Sequence, residues 1–206
     1  MTTTRGEERP NIARSLTAFT AYLEFNMTVT QSLLGLGLAL ASVTSLAAQA
    51  TPAPILDGIV LSETHLKSYV DNKSKVCHFN WTYEHVAETS GSCYGLPANK
   101  VTLMQDPDGK VIYVDIGYEK AFNGETFNKF NQSLRKKYGQ ARVSNIPFVG
   151  NRYVRWEKFG MVVTLDEPHM GFDGTLSYYT KAFWDHLQRS RQETKQKAAK
   201  QIDDML

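Results

Sequence analysis

The stretch VTLMQDPDGKVIYVDIGYE, residues 101–119, constrains the fold more than any other. Two strand-like runs, Val101–Gln105 and Lys110–Tyr118, flank Asp106-Pro107-Asp108-Gly109. Proline at the second turn position and glycine at the fourth fit a type I turn, so the runs are expected to pair as a hairpin. A hairpin makes the sheet antiparallel, and an antiparallel sheet needs a layer over at least one face.

The next segment supplies that layer. From Asn123, a residue suited to capping, Phe127, Phe130, Leu134 and Tyr138 recur at helical spacing. Arg135, Lys136 and Lys137 sit in the last turn, where cations favour the helix dipole, and Gly139 follows as the stop. Further strands are expected at Arg152–Lys158, Met161–Asp166 and Thr175–Thr180, the first two joined by a turn at Phe159-Gly160. Upstream, Ile55–Leu61 reads as a short strand. A short helix capped by Ser62 and carrying Leu66, Tyr69 and Val70 follows, then a strand over Val76–Tyr83 with Cys77, Phe79, Trp81 and Tyr83 on one face. Glu88–Gly95 reads as loop. Lys181 opens a last helix in which Phe183, Trp184 and Leu187 dock, and residues 188–206 turn into a polar helical tail. The sum is an α+β two-layer sandwich: an antiparallel sheet covered on one face by helices, with one disulfide and a C-terminal helix. Each half offers a helix followed by strands, but no residue pattern repeats.

The compartment follows from the N-terminal segment. Leu33–Leu46 holds no charge and ends near Ala48-Gln49-Ala50, with Pro52 and Pro54 behind it. A spanning helix needs ~20 apolar residues, so this run fits a signal-peptide core with cleavage after Ala50. Residues 27–50 are then the signal peptide, and residues 1–26 a mis-called start or an extended n-region. Residues 51–187 form a single α+β domain. Export to a periplasmic or secreted location is expected, with no stable membrane span after cleavage. Cys77 and Cys93 are the two cysteines of the chain, and in an oxidising compartment they read as a disulfide.

Several motifs suggest chemistry and have plainer readings. Gly91-Ser92-Cys93-Tyr94-Gly95 matches a nucleophile elbow, but it lacks a convincing strand before it and a prompt helix after it. Zinc on Cys77, His78, His85 and Cys93 lacks the paired spacing of structural sites, so no metal and no cofactor are expected. Asp106–Gly109 lacks the remaining ligands of a calcium loop. Asp166, Glu167, His169 and Asp173 gather in one loop, where carboxylates beside an imidazole could run acid–base chemistry; this is the basis of an alternative reading as a small periplasmic hydrolase.

The formal charge of +2 gives no nucleic-acid footprint. Arg135, Lys136 and Lys137, with Arg142, Arg152 and Arg155, form a candidate basic surface, and Tyr178, Tyr179 and Trp184 add candidate aromatic contacts. The function expected is that of a small exported binding module of the inhibitor, immunity or envelope-assembly type, without catalysis. Its partner would be another protein of the envelope or secreted space.

Overall fold

The computed structural model describes residues 54–96 and 98–205. The expected signal peptide and residues 1–26 lie outside them. The hairpin forms as read: β3 (Lys100–Gln105) and β4 (Val111–Glu119) pair antiparallel around the Asp106–Gly109 turn. Asp106 closes that turn twice, accepting from Gly109 N through its carbonyl (3.0 Å) and from Lys110 N through Oδ1 (2.8 Å). Gly109 sits at φ 78°, a backbone that glycine adopts without a steric penalty.

Around this hairpin grows one eight-stranded antiparallel sheet in the order β1-β2-β3-β4-β8-β7-β6-β5. The remaining strands are β1 (Asn80–Tyr83), β2 (Val86–Thr89), β5 (Val143–Asn145), β6 (Arg152–Lys158), β7 (Met161–Glu167) and β8 (Asp173–Thr180). Among the described residues three α-helices accompany them: α1 (Leu66–Lys73), α2 (Glu125–Tyr138) and α3 (Lys181–Asp203). The element order is therefore a helix and a four-stranded meander, the same again, and a final helix. The two meanders meet side by side at β4 and β8. Of the described residues, those from Pro54 to Trp184 belong to one compact unit, while α3 from Asp185 onward belongs to a second.

Register assigns every side chain to a face, because partners across a ladder point the same way. Leu103, Val114, Tyr178, Val163 and Trp156 line up across five strands, and Val101, Ile116, Leu176, Leu165 and Val154 form the next row. All are buried in one core with Leu66, Tyr69 and Val70 of α1 and Phe127, Leu134 and Tyr138 of α2. Each such side chain contributes about 1.5–3 kcal/mol when taken fully out of water. Trp156 also donates its indole N–H to the Gly139 carbonyl (3.1 Å), tying β6 to the end of α2.

The opposite face carries a polar row. Glu88, Thr102, Asp115, Ser177, Thr164 and Arg155 stand on six consecutive strands in direct register. Thr102 donates to Glu88 (3.2 Å), and Ser177 Oγ donates to Asp115. Beside them Tyr113, Tyr179, Phe183 and Trp184 form an aromatic group, with Tyr179 and Trp184 edge to face at 5.0 Å.

Four local expectations are corrected. Ile55–Leu61 is not a strand: Leu56–Gly58 makes a 3-10 turn with Asp57 at φ 47° and Gly58 at φ 86°, because an Asp-Gly pair tolerates the left-handed region. Ser62, at φ 64°, does not cap α1; Thr64 Oγ1 accepts from Val60 N (2.9 Å), and the helix begins at Leu66. The strand expected over Val76–Tyr83 starts only at Asn80, and a bulge between Trp81 and Tyr83 ends its alternation. Val86–Thr89, its latter half expected as loop, is strand β2, and Gly91–Tyr94 is a 3-10 turn.

Candidate functional site

Three connections leave the same end of the sheet. Glu119, the last residue of β4, pairs with Asp173, the first of β8, and Glu167, the last of β7, pairs with Arg152, the first of β6. The β4–α2 connection (residues 120–124), the β5–β6 connection (146–151) and the β7–β8 connection (168–172) therefore emerge side by side. Hydrogen bonds lock them together. Lys120 N donates to the Phe172 carbonyl (2.8 Å), and Lys120 Nζ donates to the carbonyls of Pro168 and His169. Asn151 Oδ1 accepts from His169 N (2.7 Å).

These connections carry exposed apolar side chains. Phe122 is 110 % exposed, Phe148 100 %, Phe172 85 % and Met170 74 %, with Val149 and Ile146 also exposed. Residues 121–124, 146–151 and 168–172 hold no Asp, Glu, Lys or Arg, in a chain that is 21 % charged. Exposed single apolar residues are ordinary, but a contiguous group of large ones marks an interaction surface.

Beneath the loops lies a buried polar foundation. Arg152 Nη1 pairs with Glu167 Oε1 (3.5 Å), and its guanidinium lies over the Phe127 ring at 5.7 Å. Gly124, at φ 70°, leaves room for it: a Cβ there would stand 2.0 Å from Arg152 Nη1. Tyr118 packs against Phe130, ring centroids 5.0 Å apart and planes tilted by 49°, and spreads over Gly174. Burial, reinforced by the neighbouring Glu167 carboxylate, pushes the Tyr118 phenol well above its ordinary range. Uncharged phenol, ion pair and ring hold the roots of all three loops.

The residues singled out from sequence take several places. Glu167 is buried in that foundation on the helix face, whereas Asp166 points to the other face, where burial raises its pKa. Asp173 accepts from Asn99 Nδ2 (3.1 Å), and His169 is held in its loop by its backbone. Asp173 shares the face of Asp166, Glu167 does not, and among the described residues no group of three His, Cys, Asp or Glu is placed to hold a metal ion. Arg135, Lys136 and Lys137 lie on the last turn of α2; Lys137 Nζ donates to the Pro54 carbonyl (2.8 Å), and burial lowers its pKa. Arg142 and Arg155 both pair with Glu157, and Arg155 lies over the Trp184 ring at 5.6 Å. Arg152 and Tyr178 face the helices, while Arg155, Tyr179 and Trp184 belong to the opposite face. Cys77 and Cys93 are joined as a disulfide, so Cys93 is no thiol nucleophile and neither cysteine is a zinc ligand.

Sequence reasoning passed over the loop phenylalanines. The signal was present: each stands in an uncharged, turn-forming stretch, AFNG, IPFVGN and PHMGF, where a core residue has nothing to pack on. No protein-family model matches the chain, and neither a curated protein nor a solved structure is significantly similar to it.

Proposed function

We propose that the chain is an exported binding module that recognises its target with the loop end of the sheet. The observation that carries this is the set of Phe122, Phe148 and Phe172, each at least 85 % exposed, on three loops bonded into one platform. Leaving such rings in water forgoes stabilisation of about 1.5–3 kcal/mol each, and a bound target recovers it. The rigid foundation of Arg152, Glu167 and Tyr118 keeps the platform ordered before binding, which lowers the entropic cost of association. Export is supported by the apolar run at Leu33–Leu46 with its Ala48-Gln49-Ala50 site, and by the disulfide. Among the described residues no helix is long and apolar enough to cross a membrane. The hydrolase alternative gains no support, because Glu167 lies on the opposite face of the sheet from Asp166 and Asp173 and is paired with Arg152.

The test is a titration of the labelled protein onto washed envelope from its host. A Phe122→Ser/Phe148→Ser/Phe172→Ser variant should keep the wild-type melting temperature and bind at least tenfold more weakly. Equal binding by the two proteins would refute the reading.

A further inference from the structure

We infer, building on the reading above, that the target of the loop end is the apolar interior of a lipid bilayer, into whose interfacial zone Phe122, Phe148 and Phe172 insert. Charge is the first argument. Of the sixteen residues of the three loops only Lys120, at the root of the first, is an Asp, Glu, Lys or Arg, and the other charged residues begin immediately outside them, at Glu119, Glu125, Arg152, Glu167 and Asp173. That is an uncharged tip on a charged collar, matching acyl chains below headgroups. The collar has no surplus of free cations. Arg152 is paired with Glu167, and the Lys120 ammonium is turned onto two carbonyls. Attraction to anionic headgroups is therefore not the driving force.

The backbone is the second argument. In hydrocarbon every N–H and C=O needs an internal partner, and several of these loops' groups have one. The carbonyls of Pro168 and His169 accept from Lys120 Nζ, and that of Phe172 from Lys120 N. The amide of His169 is taken by Asn151 Oδ1, and that of Gly124 by the Ala121 carbonyl (2.8 Å). Pro147 and Pro168 remove two donors outright.

Shape is the third. A protein-binding hot spot seats its anchors in a packed pocket and adds about one hydrogen bond per 100–200 Å². Here the rings stand exposed on three separate loops, and the tip side chains of Phe122, Phe148, Val149, Met170 and Phe172, His169 apart, offer no hydrogen-bonding N–H or O–H.

The experiment uses the full chain with an environment-sensitive dye on Val149→Cys, which keeps all three phenylalanines. Vesicles of phosphatidylcholine, alone or with phosphatidylglycerol, are the probe. The expected result is a blue shift of the dye on both vesicles that survives salt of about 1 M, where the screening length falls to about 3 Å. Adding the three Phe→Ser changes should weaken vesicle binding at least tenfold. Both proteins retain the Leu33–Leu46 run, so their difference reports on the loops alone. Binding that requires phosphatidylglycerol and disappears in salt would overturn insertion. If no blue shift occurs but the chain dimerises, and the serine variant does not, the lipid assignment falls and the binding reading stands with a second copy as target. If there is no shift, no dimer and unchanged envelope binding by the serine variant, both fall.

Discussion

Gly174, the second residue of β8, stands directly opposite Tyr118, and a Cβ at that position would lie 2.4 Å from the phenol ring. Gly174→Ala must displace the ring or bend the strand, so it should cost about 1–3 kcal/mol in denaturant unfolding. Arg152→Met leaves the buried Glu167 carboxylate without its cation, a loss of about 3 kcal/mol for a broken buried pair. Arg152→Met combined with Glu167→Gln should recover part of that loss in the same assay; no recovery would mean that the pair is not the reason for the loss. Asp115 adds a pH effect. Burial raises its pKa, against the opposing hydrogen bonds from Ser177 and Tyr113. The folded state therefore holds this proton more tightly than the unfolded chain. Its contribution is present below the unfolded carboxylate pKa and is lost as pH rises through the folded one. Between those two values wild-type stability should fall relative to Asp115→Asn, and parallel stability curves across that window would contradict the shift.

At the scale of elements, α2 was the most legible. Its apolar spacing, basic last turn and Gly139 stop are all local signals, and the helix ends at Tyr138 as read. Only its start moved: Asn123 Oδ1 accepts from Glu125 N (3.0 Å), but Gly124 occupies the N-cap position. Strand β2 was the least legible. Val86–Thr89 is four residues of mixed polarity, and it is a strand because β3 beside it offers a ladder edge. The disulfide anchors this region by linking the segment between α1 and β1 to the Gly91–Tyr94 turn, across a separation of 16 residues. Cys77→Ser/Cys93→Ser should lower stability by roughly 3 kcal/mol on the chain-entropy estimate. The loss should appear in the denaturation midpoint, and a shift well under 1 kcal/mol would show that β1 and β2 hold without the bond.

The whole sheet is two helix-plus-meander halves joined where β4 and β8 pair from Tyr113–Tyr179 to Glu119–Asp173. One hydrophobic cluster runs across that seam, from Leu103 and Val114 to Tyr178 and Val163. Two halves that share a core should unfold as one cooperative body. Amides of β3 and of β7 are then expected to exchange with the same opening free energy; separate values for the two halves would show independent units. This cooperativity also bears on the loop end, since two of its three loops are rooted in strands of the seam and the third is bonded to them.

What the sequence determined by itself was whatever depends on neighbours along the chain: the Asp106–Gly109 hairpin, helix α2, the α+β antiparallel class and the partnership of two lone cysteines. The hairpin, the helix and the class rest on backbone preferences and periodicity that act within a turn or two, and the cysteine pairing on the count of two and an oxidising compartment. The tertiary structure decided which residues meet across the sheet. It sent Asp166 and Glu167 to opposite faces, put Tyr178 in the core and Tyr179 outside it, and brought Phe122, Phe148 and Phe172 from distant positions to one end. Alternation along a strand separates adjacent residues, while register across strands unites distant ones. A one-dimensional reading shows only the first of these.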